Sequence, residues 1–414
     1  MPKSLVRLVI AVAAFGGSIQ AQADAVTDWN EIMERTVATV DPFLQTRSAA
    51  IMHLAVFEAV NSILGDYEPY LGTITASRGA SPDAAAIAAA HRALSALHPD
   101  QAAALDAARA ASLATILDGR AKDDGTAVGE AAAVAMVALR ANDGSDIEVP
   151  YTPGSKPGEW RPTPPAFAPA FRPGLGKVDT FAIESGAQFR LGPPPGLRSA
   201  RFARDYNEVK RVGDVNNTSR PDDRADVARF YGVTDAIPLY NPAARQVSEA
   251  QGKTLGENAR IFALLAIAIC DAAIAVFDSK YHYNYWRPVT AIATGGEDGN
   301  DRTSPDSDWL PLVETPPFPS YPSGHAGFGA AARCVLEDAF GRSGHSITLT
   351  NPLVPEIVLH YTSWKQITDD VDDARIFGGV HYRFDQDSAA RLGKRVGSYV
   401  LRHQMRPVCR RDCD

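Results

Sequence analysis

The stretch "IFALLAIAICDAAIAVF", residues 261–277, limits what this chain can become more than any other. A helix that is apolar on every side must be enclosed on every side, by lipid or by other protein elements. A bilayer span needs roughly 20 predominantly apolar residues in a row. This run is shorter, carries Asp271 in its middle, and has no equal elsewhere between residues 24 and 414. It therefore predicts a central helix in a soluble protein, with no integral membrane insertion.

The chain supplies the helices that would surround it. "WNEIMERTVATV", "RSAAIMHLAVFEAVNSIL", "SPDAAAIAAAHRALSAL", "QAAALDAARAASLATIL" and "GEAAAVAMVALRAN" are rich in Ala and Leu, with apolar residues at helical spacing. Ser81-Pro82-Asp83 offers an N-cap, a first-turn proline and a first-turn acid. No stretch of comparable length alternates with period two, so no substantial sheet is expected. His53, His91 and His98 lie in these helices with no partner motif and are assigned packing or surface roles.

Between residues 149 and 175, "VPYTPGSKPGEWRPTPPAFAPAFRPGLG" is too proline-dense for helix. Trp160, Phe167 and Phe171 predict that this segment is laid across the helices. A second run, "LGPPPGL", precedes the helix "RSARFARDYNEVKRVG". Another helical region runs from near Asn241 to Trp286. The expected organisation is a helical region over 24–240, with irregular chain at 149–197, then a second helical domain over 241–406 and a tail at 407–414.

Residues 1–23 read as a signal peptide: Lys3 and Arg7, a short apolar run, and "AQA" ending at Ala23. Export to the periplasm or the medium is expected. Cleavage would remove both cations and take the formal net charge from −8 to −10. So acidic a protein is a poor partner for nucleic acid. Cys270 and Cys334 read as buried thiols, whereas Cys409 and Cys413 could pair in an oxidising compartment. Neither pair has zinc-site spacing.

Three segments carry the chemistry. In "DSKYHYNYWRPVTAI", Lys280 and Arg287 are nearly two helical turns apart and could share a face, with Pro288 placing Arg287 at a helix end. In "YPSGHAGFG", Ser323 can cap a helix, Gly324 admits an anion to the backbone, and His325 sits in the first turn, placed to move a proton. In "DDARIFGGVHYRFDQD", Gly378-Gly379 separates Arg375 from His381. With helix assumed from Val380 onward, His381 and Asp385 stand four apart, so the carboxylate can hold the ring with Nε2 outward. The acids Asp369, Asp370, Asp372 and Asp373 read as a solvated helix start capped by Thr368, and residues 297–308 as a polar loop. Two arginines, a lysine, a helix N-terminus and two histidines make an oxyanion pocket with a ligand or nucleophile and a proton donor.

Lys-x6-Arg-Pro, Pro-Ser-Gly-His and Arg-x5-His-x3-Asp, in this order, resemble the type 2 phosphatidic acid phosphatase and vanadium haloperoxidase superfamily. "KYHYNYWRPVTAI", "PPFPSYPSGHA" and "RIFGGVHYRFD" are similar to its haloperoxidase branch. Ala374 stands where a serine is common in that pattern. "RSAAIMHLAVFEAVNSI", "GEWRPTPPAFAP" and "ARDYNEVKRVG" extend the likeness upstream. The resemblance implies an all-α fold of two four-helix bundles with the site in the C-terminal one. It implies vanadate as cofactor, with phosphate able to occupy the same place. His381 would ligate vanadium axially, while Lys280, Arg287, Ser323, Gly324 and Arg375 would hold the oxygens. His325 would be the acid–base residue, Asp385 the support of His381, and Phe318 and Phe277 the halide side.

Two enzymatic readings follow. As a haloperoxidase, the protein would use hydrogen peroxide to oxidise halide, with Lys280 polarising bound peroxide. As a soluble exported acid phosphatase, it would attack a phosphate ester with His381 and protonate the leaving alcohol from His325. Both take small-molecule substrates. A non-catalytic oxyanion-binding protein would not need two histidines of different roles.

Overall fold

A computed structural model describes residues 24–408. The signal-peptide reading and the Cys409–Cys413 pairing lie outside the described residues. Five helices come first: α1 (Ala25–Val37), α2 (Pro42–Leu64), α3 (Pro82–Leu97), α4 (Ala102–Ala114) and α5 (Arg120–Leu139). After the irregular segment come α6 (Ala200–Val212), α7 (Asp222–Gly232), α8 (Ala236–Gln251), α9 (Leu255–Tyr283) and α10 (Pro288–Ala293). The chain ends with α11 (Gly324–Phe340), a hairpin of β1 (Ser343–Thr350) and β2 (Val358–Ser363), then α12 (Trp364–Phe377) and α13 (Arg383–His403). The fold is all-α, in two helical bundles, as expected.

The apolar run becomes α9, which belongs to both bundles. It packs on α2 from the first group and on α11 and α13 from the second. Among the described residues it is the one helix long and apolar enough to cross a membrane, and its most apolar window is buried within the protein. Asp271 interrupts the run for a structural reason. Fully buried, its carboxylate accepts the backbone N–H groups of Phe181 (2.7 Å), Ala182 (2.8 Å) and Ile183 (3.0 Å). One turn and more further along, Arg190 donates two bonds to Asp278, at 2.7 and 2.8 Å. Two acids of the central helix thus strap the irregular chain to it. Trp160 is buried there and Phe171 partly so, but Phe167 points to solvent at 63% exposure, against the expectation that it would be covered.

Helix starts follow the sequence signals. Asp41 precedes Pro42, Ser81 precedes Pro82, and Thr254 forms a reciprocal capping box with Glu257. Asn284 ends α9 in the left-handed region at φ 48°, which turns the chain before Arg287. In the second bundle glycines set the spacing. A Cβ at Gly393 of α13 would meet the Gly327 carbonyl of α11 at 2.0 Å, so only glycine permits that approach.

Several local expectations are corrected. The 240/241 boundary falls inside α8. The helix carrying Asp369–Asp373 starts at Trp364 under a Ser363 capping box, so Thr368 caps nothing and these acids are mid-helix. The small β1–β2 hairpin was not foreseen; its His345, Ile347 and Leu349 alternate inward over too few residues to stand out.

Candidate active site

Lys280 lies in the last turn of α9, where burial leaves its ammonium with protein partners only. Its Nζ donates to the carbonyls of Pro319 (2.8 Å) and Ser320 (2.9 Å). Arg287 does not share a helix face with it, as the spacing suggested: α9 stops at Tyr283, and Arg287 is the N-cap of α10. The two cations meet over one ring instead, with Lys280 Nζ 4.9 Å and Arg287 Cζ 4.8 Å from the Phe318 centroid. Arg287 Nε also donates to the Phe318 carbonyl at 2.8 Å, and Nη1 to that of Val380 at 2.8 Å.

The segment before α13 brings the histidine. His381 precedes the helix, which starts at Arg383, rather than lying on it. Asp385 in the first turn reaches back to it: Asp385 Oδ2 lies 2.8 Å from His381 Nδ1 and also accepts the Tyr382 N–H at 3.2 Å. The same oxygen accepts the hydroxyl of Ser320 at 2.6 Å. On the other edge of the ring, Arg287 Nη1 stands 3.0 Å from Nε2. Since arginine can only donate, Nε2 carries the lone pair and Nδ1 the proton. The imidazole therefore presents a lone pair to the cations.

Ser323 is the N-cap residue of α11, but its hydroxyl caps nothing; Oγ is buried with no protein partner. Gly324 and His325 open the helix behind it, with His325 only partly buried. Arg375, near the end of α12, uses Nη1 on the Tyr231 carbonyl at 3.0 Å, while its buried Nε has no partner. Arg287 Nη2 is likewise buried and unpartnered. Buried donors are ordinarily satisfied, so three such donors on Arg287, Ser323 and Arg375 mark the place of an acceptor-rich guest. Among the described residues no three His, Cys, Asp or Glu side chains gather to hold a metal cation. The donor set suits an oxyanion.

Electrostatics agree. Burial lowers Arg287 to about 9 and Arg375 to about 10, so both stay cationic at neutral pH. Lys280 falls well below its ordinary value through burial and then Arg287. Burial and the surrounding cations likewise hold His381 and His325 well below the usual histidine range, so both are neutral. Burial raises the Asp385 carboxyl, opposed by the Ser320 hydrogen bond and Lys280. The pocket is thus a concentration of buried positive charge that favours an anionic guest.

A cavity of about 440 Å³ leads to this floor, which includes Gly324, His325, Arg375 and His381. Phe277 and Phe318 form part of its wall, 5.1 Å apart between centroids, and Phe171 from the proline-rich segment packs against both. A larger cavity of about 700 Å³ near Asp41 and Arg172 contains neither histidine. The structure brings together every side chain singled out in the three motifs. Sequence reasoning missed Ser320 and Asp235. Ser320 stands five residues before His325 in an otherwise quoted motif. Asp235, whose carboxyl feels Arg375, precedes α8 and has no local signal.

The model of the VCPO second helical-bundle domain matches residues 260–409, which contain all these motifs. A curated relative, the vanadium chloroperoxidase of Curvularia inaequalis, is 26% identical over 313 residues, covering 59% of this chain. The chain spans 50% of the length of that relative. Among solved structures, one described as the first bacterial vanadium-dependent iodoperoxidase superposes with a TM-score of 0.76 at 24% identity, covering 92% of this chain and 95% of that one. A holo-type bacterial vanadium-dependent chloroperoxidase gives 0.69 at 18% identity, covering 93% and 98%. Both share this fold.

Proposed function

We infer that this chain, a vanadium chloroperoxidase-like protein, is a vanadate-dependent haloperoxidase that oxidises halide with hydrogen peroxide to hypohalous acid. The observation that carries the reading is that Arg287, Arg375 and Ser323 each keep a buried donor without a protein partner beside His381: Arg287 touches the Nε2 lone pair, Arg375 lines the same cavity as the ring, and Ser323 donates its N–H to the Asp385 carbonyl. Vanadate fits this set: Lys280, Arg287, Arg375, Ser323 and the Gly324 N–H would hold its oxygens, and His381 Nε2 its vanadium. When bound, vanadate supplies a Lewis-acidic centre that activates hydrogen peroxide toward two-electron oxidation of halide.

The chain's own groups have separable tasks. Asp385 keeps the proton on His381 Nδ1 and so the lone pair on Nε2. Ser320 holds Asp385 in place and, through its carbonyl, positions Lys280. Neutral His325, in the first turn of α11, accepts a proton from incoming peroxide and returns it to leaving water. With a bound anion beside it to favour its charged form, Lys280 has a third proton for the bound substrate beyond the two given to carbonyls. Phe277 and Phe318 exclude water on the halide side.

The same floor suits phosphate, so the test must separate the two chemistries. Protein purified without phosphate is assayed for bromination of a phenolic dye with peroxide, with and without orthovanadate, and for p-nitrophenyl phosphate hydrolysis in parallel. Vanadate-dependent bromination is expected, abolished in His381→Ala. Ester turnover that vanadate inhibits would replace this reading by an acid phosphatase.

A further inference from the structure

The vestibule above the anion floor is far larger than its small reactants require. Water in the liquid occupies roughly 30 Å³ per molecule, and peroxide and halide each need a small multiple of that. The cavity measures about 440 Å³ and is lined by Phe43, Phe171, Phe277, Phe318 and Phe328. Sites of this size and lining are those that enclose small organic ligands.

Its rim is also apolar. Leu353 is 72% exposed and Val233 46% exposed, and both line the opening. They come from distant parts of the chain that are tied together there. Leu353 sits in the β1–β2 turn, where its N–H donates to Asn351 Oδ1 at 2.9 Å. Asn351 Nδ2 in turn donates to Thr234 Oγ1 at 2.8 Å, beside Val233. The hairpin thus brings a second exposed aliphatic side chain to the mouth that Val233 lines.

We propose that this vestibule binds a small neutral aromatic molecule as the halogen acceptor, over the anion floor, so that oxidised halogen is passed on inside the protein. This rests on the haloperoxidase reading. Ring walls favour a flat aromatic guest through offset and edge contacts. Neutrality follows from the floor: an organic anion would compete with the oxyanion for Arg375, an organic cation would meet that arginine, and burial holds the one acid of the lining, Asp235, toward its neutral form. The chemistry balances. Halide, peroxide and a proton give hypohalous acid and water, the halide losing two electrons to the O–O bond. The halogen then bonds to a ring carbon, that carbon loses its proton, and the released hydroxide takes it up as water.

The probe is 2-naphthol, with Leu353→Asp and Val233→Asp as variants, since exposed positions tolerate the change without loss of fold. Calorimetry on vanadate-free and vanadate-loaded protein gives Kd, and steady-state bromination gives KM. Wild type should bind 2-naphthol and show a rate that saturates in it. Each variant should weaken Kd and naphthol KM by about fivefold or more, with the loss falling on naphthol rather than on peroxide KM. A bromination rate independent of naphthol concentration, with no binding detected, would overturn the proposal while leaving halide oxidation intact. If no halide is oxidised, the haloperoxidase reading falls, and Kd in wild type against the variants still decides whether the vestibule takes an aromatic guest.

Discussion

Ser320 Oγ donates to Asp385 Oδ2 at 2.6 Å, and both groups are fully buried. Oδ2 is the oxygen that faces His381 Nδ1, so the serine fixes the carboxylate that fixes the imidazole. Removing the carboxylate charge frees the ring to turn or change tautomer. Asp385→Asn should lower vanadate affinity or halide oxidation by about 10- to 100-fold, and Ser320→Ala by less. Vanadate titration and steady-state kinetics check this, with circular dichroism confirming that both variants fold. Equal activity in Asp385→Asn would remove the bracing role.

The second prediction concerns the unpartnered donors. A ligand that binds only the folded protein raises its stability by mass action, about 2.7 kcal/mol at 100 times Kd. Vanadate or phosphate should therefore raise Tm. Arg375→Ala takes away a buried cation whose Nε has no protein partner, and anion affinity should fall about 10- to 100-fold, the scale of a hydrogen bond to a charged group. Thermal scans across anion concentration provide the measurement. An undiminished anion response in the variant would place the guest elsewhere.

Much of this was legible before the structure, and the misses have physical causes. Lys280, Arg287, Ser323, His325, Arg375, His381 and Asp385 sit in short motifs whose residue types already state their chemistry. What a linear reading got wrong was how they are carried. Spacing put Lys280 and Arg287 on one helix face, but Asn284 in the left-handed region breaks the helix between them, and Phe318 reunites them from another segment. Ser323 suggested a hydroxyl cap, yet its hydroxyl caps nothing. Asp235 could not be found, because its nearness to Arg375 exists only in the folded chain. Asp271 was visible as an interruption, but the N–H groups it serves lie about 90 residues away.

A third prediction follows from His325. Burial, then Arg375, Lys280 and Arg287, hold its pKa well below the ordinary value, so the free protein carries it neutral. A bound oxyanion offsets those cations and raises the pKa again, so binding should draw protons onto part of the ring population while leaving the rest neutral. Calorimetry of phosphate binding near pH 6.5, in buffers of differing ionisation enthalpy, counts protons. Wild type should take up more protons than His325→Ala, by at most one. An identical count in the two proteins would mean His325 does not face the anion.

The fourth prediction tests the strap on the central helix. Asp271→Ala strands the N–H groups of Phe181, Ala182 and Ile183, two of them in buried residues. Each such donor costs about 1–3 kcal/mol, so urea unfolding should report a loss of about 3 kcal/mol or more. The carboxylate also makes stability depend on pH. Burial raises its pKa from 3.8 to about 6. Between those values the folded state keeps a proton that the unfolded chain has released, so the unfolded state binds fewer protons and stability falls as pH rises through that window. Asp271→Asn has no such group. The stability difference between wild type and Asp271→Asn should therefore shift against wild type from pH 4 to pH 6 and level off above it. A difference flat across that range would mean that the three N–H donors hold Asp271 ionised throughout, their hydrogen bonds outweighing the cost of burial.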